Sequence, residues 1–191
     1  MEKRGRKAQE LWLACQTLQA VIATQNELKP LYSELQAIKE AGNGHPFVTT
    51  VVDAIPEQAV TQGVWTEEAL IDRFEKVYSI SRRVAMIDER GGSLFKFFLS
   101  YVQSMFVLTS KPIHGEIDPK SLTTFKILDN AKHCLERGDM EQALRFLNQL
   151  TGESRFAARD WIADARLLLE TRQAAYALLA HASAEGLGSL I

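Results

Sequence analysis

Apolar side chains recur at three- and four-residue intervals along most of this chain, the period of helices that each bury one face. Residues 8–25 carry Leu11, Cys15, Leu18 and Ile22 as one stripe, with Trp12 beside it. Pro30 suits the opening of a second helix, whose stripe Leu31, Leu35 and Ile38 runs to Gly42-Asn43-Gly44. Pro46 opens a third. Its run Phe47-Val48-Thr49-Thr50-Val51-Val52 is β-branched enough for a strand, but Phe47, Val51 and Ile55 keep a spacing of four, which predicts a helix. Pro56 starts a short turn ending near Gly63. Thr66 is an expected N-cap, with Glu67 and Glu68 in the first turn. That helix carries Leu70, Phe74, Val77, Val84 and Ile87 and runs to about Glu89.

Gly91-Gly92 breaks it, and Ser93 caps a helix that ends before Lys111-Pro112. There Lys96, Ser100 and Gln103 form one narrow polar stripe on an otherwise apolar surface, which suits the centre of a bundle with one wet edge. A loop over 113–117 leads to Asp118-Pro119, a cap and a first-turn proline. The helix over 119–137 carries Leu122, Phe125, Leu128 and Leu135. Gly138 closes it, and Asp139 caps a helix over 140–150 with Ala143, Phe146, Leu147 and Leu150. Gly152 closes that one in turn. The last helix runs from about Ser154 to Glu185, with Trp161, Ala165, Leu168, Leu169, Tyr176 and Leu179 inward. The pattern predicts an all-α fold: an antiparallel helical bundle of several short helices with a long C-terminal helix. The single-glycine turns resemble tetratricopeptide units, but no second copy follows at a period of about 34 residues, so a repeat array is rejected.

Composition changes this picture little. The 191 residues are 46% hydrophobic and 24% charged, the balance of a globular chain. A net charge of −2 speaks against a nucleic-acid binder of the basic kind, and no nucleic-acid partner is expected. The longest apolar stretch, Leu94–Leu108, contains Lys96 and Gln103 and is shorter than the roughly 18–20 residues of a membrane span. No signal-peptide pattern is visible at the N-terminus. Cys15 and Cys134 lack zinc-finger spacing. Two buried free thiols are expected, with a single bridge the alternative.

Charge is uneven, and that matters. Lys3, Arg4, Arg6 and Lys7 crowd the start of the first helix, where the macrodipole is already positive. Followed by the apolar stripe and Trp12, they make candidate lipid-binding residues of an interfacial helix. The competing reading is that the stripe packs into the core and the basic residues are solvated. Residues 1–26 are accordingly set apart as a basic amphipathic helix, and 27–191 as the helical domain proper.

Enzyme chemistry finds little support. There is no Gly-x-Ser-x-Gly elbow, no phosphate loop and no dinucleotide fingerprint. Asp129 and His133 stand four residues apart next to Cys134. A metal needs three or four ligands, so no metal, no cofactor and no catalytic residue is expected; a small helical enzyme using these three is the rival. Asp160 and Asp164, among Arg155, Arg159 and Arg166, read as a solvated charged face. Phe95, Phe97, Phe98, Tyr101, Met105 and Phe106 read as core, or as half of a seam between two copies, which makes a homo-oligomer an expectation.

Many segments, in order, resemble the C-terminal domain of the mitofilin family. They begin with Ala8-Gln9-Glu10-Leu11-Trp12-Leu13 and Ala54-Ile55-Pro56. They are strongest at Arg82–Asp88 and Leu94–Ser104. They continue through Thr124-Phe125-Lys126, His133–Asp139 and Leu147–Arg155 to Asp160-Trp161 and Leu169-Glu170-Thr171. The resemblance implies a non-enzymatic scaffold of the mitochondrial inner-membrane organising complex, MICOS, facing the intermembrane space and maintaining cristae junctions and inner–outer membrane contact. It implies two partners: a small twin-cysteine (CHCH) subunit, and the outer-membrane β-barrel assembly machinery. It also implies anionic-lipid contact over about Lys3–Ile22. Family members carry a presequence, a transmembrane helix and a long coiled coil before this domain, so the chain looks like the C-terminal piece. The candidate interface is Arg82, Arg83, Phe95, Phe98, Tyr101 and Gln103. The alternative is a peripheral membrane-surface protein acting mainly through its N-terminal helix.

Overall fold

The computed structural model describes residues 2–24, 27–88 and 123–188. Among these residues the fold is all-α, without strands. The helices are α1 (Glu2–Thr24), α2 (Tyr32–Ala41), α3 (Pro46–Asp53), α4 (Glu57–Gln62), α5 (Glu67–Asp88), α6 (Thr124–Glu136), α7 (Met140–Leu147) and α8 (Gly152–Gly188). The helix expected between the Ser93 cap and Lys111-Pro112, with Phe95, Phe98, Tyr101 and Gln103, lies outside the described residues. Two compact units emerge. The first comprises Met1–Glu67 and Arg166–Ile191, the second Glu68–Ala165.

In the first unit, α1 packs on α2, and α2 on α3 and α4. The α1 stripe Ala8, Leu11, Cys15, Leu18 and Ile22 is buried, and so are Leu31, Leu35 and Ile38. In α3 the expected register is wrong by one residue. Val48 and Val52 face inward with Ile55, while Phe47 is 41% exposed. The β-branched pair fills the core, and the larger ring goes to the rim. The turn expected after Pro56 is a short helix, α4. It ends at Gly63, with φ +91° and ψ −173°, a conformation close to glycine-only. A Cβ there would stand 2.1 Å from the Lys29 carbonyl oxygen. The close approach belongs to a crossing that also carries Leu31 N–H to the Val60 carbonyl at 3.1 Å. Gly63→Ala is therefore expected to cost on the order of 2–3 kcal/mol, read as a lowered denaturation midpoint. A midpoint unchanged from wild type would refute this account of the crossing.

In the second unit, α6 and α7 form the expected tight hairpin. Gly138 turns it at φ +74°, and the Asp139 carboxylate caps α7 by accepting from Gln142 N–H at 3.0 Å. The buried line of α5 runs Leu70, Phe74, Ser81 and Ala85, so a serine occupies the line where the apolar pattern leads from Val77 to Val84. Ser81 is tolerated because it meets Ser154 of α8 reciprocally: Ser154 Oγ donates to the Ser81 carbonyl at 3.1 Å, and Ser81 Oγ to the Ser154 carbonyl at 3.5 Å. Each buried hydroxyl thereby has a partner. Trp161 fills the centre. It is 1% exposed, its ring lies 5.0 Å from that of Phe74, and its Nε1–H donates to the Leu70 carbonyl at 2.8 Å.

Helix α8 is 37 residues long. Its residues up to Ala165 belong to the second unit and those from Arg166 to the first. Ala175, Leu178 and Ala182 form its buried line in the first unit. Tyr176, expected inward, is 57% exposed. A neighbour one position away on the helix is turned by about 100°, so a small error of register carries the ring to solvent.

Candidate interaction surfaces

Helix α1 presents two different faces. Its apolar stripe is packed into the first unit, so that stripe is not free to enter a bilayer in this conformation. Trp12 and Leu13 remain outward, 41% and 59% exposed, together with exposed Arg6 and Lys7. Leu13 and Arg6 fall on the face opposite the stripe, seven residues or about two turns apart. Lys3 and Arg4 belong to the same helix backbone, but their side chains lie outside the described set. The outward face thus pairs Arg6 with Leu13, with exposed Trp12 on one flank of the stripe and exposed Lys7 on the other, residue types suited to a headgroup contact.

Arg82 turns inward. Its Nη1 donates to Asp129 Oδ1 and to Tyr78 Oη, each at 2.6 Å, and Tyr78 Oη donates to the same Asp129 oxygen at 2.6 Å. The Arg82 and Asp129 side chains are only 12% and 5% exposed. The Arg82 guanidinium carbon also sits 5.3 Å from the ring centroids of both Tyr78 and Phe125, an orientation that adds cation–π attraction. Lys132 covers the outer side of Tyr78 at 5.0 Å and pairs with Glu75 of α5 at 2.9 Å. Burial, then the hydrogen bond to Asp129, push the Tyr78 hydroxyl from 10.0 up to about 12. This cluster ties α5 to α6 and does not offer Arg82 to a partner. Of the neighbouring arginines, Arg83 is the exposed one.

The same arrangement bears on the residues of the rival reading. Asp129 is held by Arg82 and Tyr78, so it is not an available ligand beside His133. The Cys134 thiol is raised by burial, then by the nearby Asp139 charge. Cys15 has no exposed surface, and burial pushes its thiol from 9.0 up to about 11. Both cysteines are free. Neither has the lowered thiol pKa of a nucleophile.

A third constellation escaped sequence reasoning. His45 precedes α3, between Gly44 and Pro46. His181 and Glu185 share a face of α8 one turn apart. Glu185 Oε1 lies 3.4 Å from His181 Nε2 and 3.7 Å from His45 Nε2. The two imidazole centroids are 4.5 Å apart, and the Phe47 ring stands 4.8 Å from that of His181. The i,i+4 pair His181–Glu185 was visible as a spacing, but nothing in the sequence brings His45 to it. An open groove of about 410 Å³, lined by Tyr32, Leu35, Lys39, Val52, Asp53 and Val60 among others, lies elsewhere in the first unit. Lys39 and Asp53 pair along it at 2.6 Å. No described helix is long and apolar enough to cross a membrane.

Against known proteins, residues 1–183 match the family model Mitofilin, described as a mitochondrial inner membrane protein. MICOS complex subunit Mic60 of Drosophila melanogaster is 40% identical over 97% of this chain and 27% of its own length. MIC60-2 of Caenorhabditis elegans is 31% identical over 96% of this chain and 30% of its own. MIC60 of Paracoccidioides brasiliensis is 29% identical over 88% of this chain and 24% of its own. The chain therefore spans less than a third of the length of these relatives. No solved structure matches.

Proposed function

The chain belongs to the mitofilin family, and from that premise we propose that it is a non-enzymatic scaffold domain of the MICOS complex. It works by burying apolar helix faces between chains, with charged rims that set partner choice. One partner is a small CHCH-domain subunit of the same complex. A second is the outer-membrane β-barrel assembly machinery, and a third is another copy of the chain. The domain faces the intermembrane space at the inner membrane, where such contacts hold cristae junctions and inner–outer membrane contact in place.

The observation that carries the reading is the match to the family model over residues 1–183, joined to relatives named as subunits of one complex. The chemistry of the site agrees with it. The described thiols are raised rather than lowered, and the buried Arg82–Asp129 pair is committed to holding helices together. For docking, the proposed partner contacts are Arg83, Phe95, Phe98, Tyr101 and Gln103 of the 82–104 segment, with Arg82 fixing the helix that carries Arg83.

Gel filtration with light scattering, on the chain mixed with purified CHCH subunit, tests the docking. A complex heavier than either component supports it, and separate elution contradicts it. The alternative, a membrane-surface protein acting through α1, is distinguished by flotation with anionic liposomes. It rests on the outward set Arg6, Lys7, Trp12 and Leu13. Flotation abolished by Arg6→Glu with Lys7→Glu, in a protein that fails to bind the CHCH subunit, would favour the alternative. Flotation unchanged by those substitutions would remove the helix from it.

A further inference from the structure

We propose that His45, His181 and Glu185 form a binding site for a divalent transition-metal ion of the zinc type, independent of the scaffold reading. Each residue offers one ligand atom, and the three atoms lie within 4.8 Å of one another. Zinc bonds of about 2.0–2.1 Å in a tetrahedron put neighbouring ligand atoms about 3.3 Å apart. The observed separations from Glu185 Oε1, 3.4 Å and 3.7 Å, stand close to that value. The donor set is two imidazoles and one carboxylate, a combination zinc accepts while keeping a fourth position for water.

A second observation points to an occupant. His181 Nε2 is closed off from solvent and has no hydrogen-bond partner. Glu185 Oε1, although 3.4 Å away, does not satisfy it. Buried polar atoms are normally paired, and an orphaned imidazole nitrogen aimed at a carboxylate and a second imidazole is satisfied by a shared cation. The protein holds these groups from separate elements. Gly44, at φ +76°, and Pro46, at the first turn of α3, set the backbone around His45. The other two ligands stand one turn apart on α8, and the Phe47 ring walls one side of His181 at 4.8 Å. Within the first unit the metal fastens the end of α8 to the start of α3.

The test is zinc titration of the metal-free full chain by calorimetry, with cobalt substitution as a spectroscopic readout. The expected result is one zinc per chain and the d–d bands of tetrahedral cobalt. Glu185→Gln and His181→Ala should each weaken binding at least about tenfold, while His133→Ala with Cys134→Ser leaves it unchanged. Glu185 is exposed near the end of α8, so Glu185→Gln retains the fold, and circular dichroism verifies that. Absence of stoichiometric zinc would overturn the site. So would zinc retained at full affinity by Glu185→Gln and His181→Ala, or zinc lost with the His133 and Cys134 substitutions.

Discussion

Trp161→Ala is expected to lower the stability of the second unit by about 3–5 kcal/mol, the range for truncating a buried aromatic. Three losses combine. The side chain is 1% exposed, so nearly all its apolar surface is removed from the core and a cavity is left. Its tilted contact with the Phe74 ring, centroids 5.0 Å apart, disappears. The Leu70 carbonyl loses the indole donor at 2.8 Å, and any buried carbonyl lone pair left without one adds a further cost. Trp161→Phe separates these contributions. It keeps most of the apolar volume and loses only the hydrogen bond and part of the contact, so about 1–2 kcal/mol is expected. Urea denaturation followed by circular dichroism gives both numbers. A loss below about 1 kcal/mol for the alanine variant would mean that Trp161 does not centre this core.

Arg82→Ala is the second large effect, expected at about 3–5 kcal/mol, because removing one partner of a buried pair strands the other charge. Asp129 would keep Tyr78 as its hydrogen-bond donor but lose its counter-charge. The paired replacement Arg82→Met with Asp129→Leu should recover most of the loss, since no buried charge then remains unpaired. A double variant as unstable as Arg82→Ala would contradict this reading of the cluster. The same cluster predicts an alkaline limit. Tyr78 is raised from 10.0 to about 12, so the fold favours its neutral form. Its contribution is complete below the unfolded value of 10.0 and is lost as pH rises through about 12. Tyr78→Phe should flatten the fall in stability over that window.

How far the chain was legible follows from what periodicity encodes. The stripe Leu11, Cys15, Leu18, Ile22 and the cap at Asp139 were readable because they are set by residues within one or two turns. Where two neighbouring positions were both apolar, the pattern could not decide between them. Phe47 against Val48 and Tyr176 against Ala175 were decided by which side chain fits against the neighbouring helices. The six-residue helix α4 (Glu57–Gln62) carries too few turns for a period to show. Arg82 illustrates the limit at the candidate site. Its basic neighbour Arg83 is exposed as a surface residue should be, but the pairing of Arg82 with Asp129 is a long-range contact that no spacing announces. The meeting of His45 with His181 and Glu185 was hidden for the same reason. The family, in contrast, was carried by ordered segments such as His133–Asp139 and Leu147–Arg155, which do not depend on tertiary contacts.

The most direct measurement is a crosslinked pull-down from mitochondrial extract with the full chain as bait, beside an Arg83→Glu, Gln103→Glu variant of the proposed surface. The account predicts recovery of the small CHCH subunit with other MICOS subunits, reduced about tenfold in the variant, the effect of roughly 1.4 kcal/mol of lost binding. Recovery of no MICOS subunit by the wild-type chain, under conditions where the complex itself stays assembled, would contradict it.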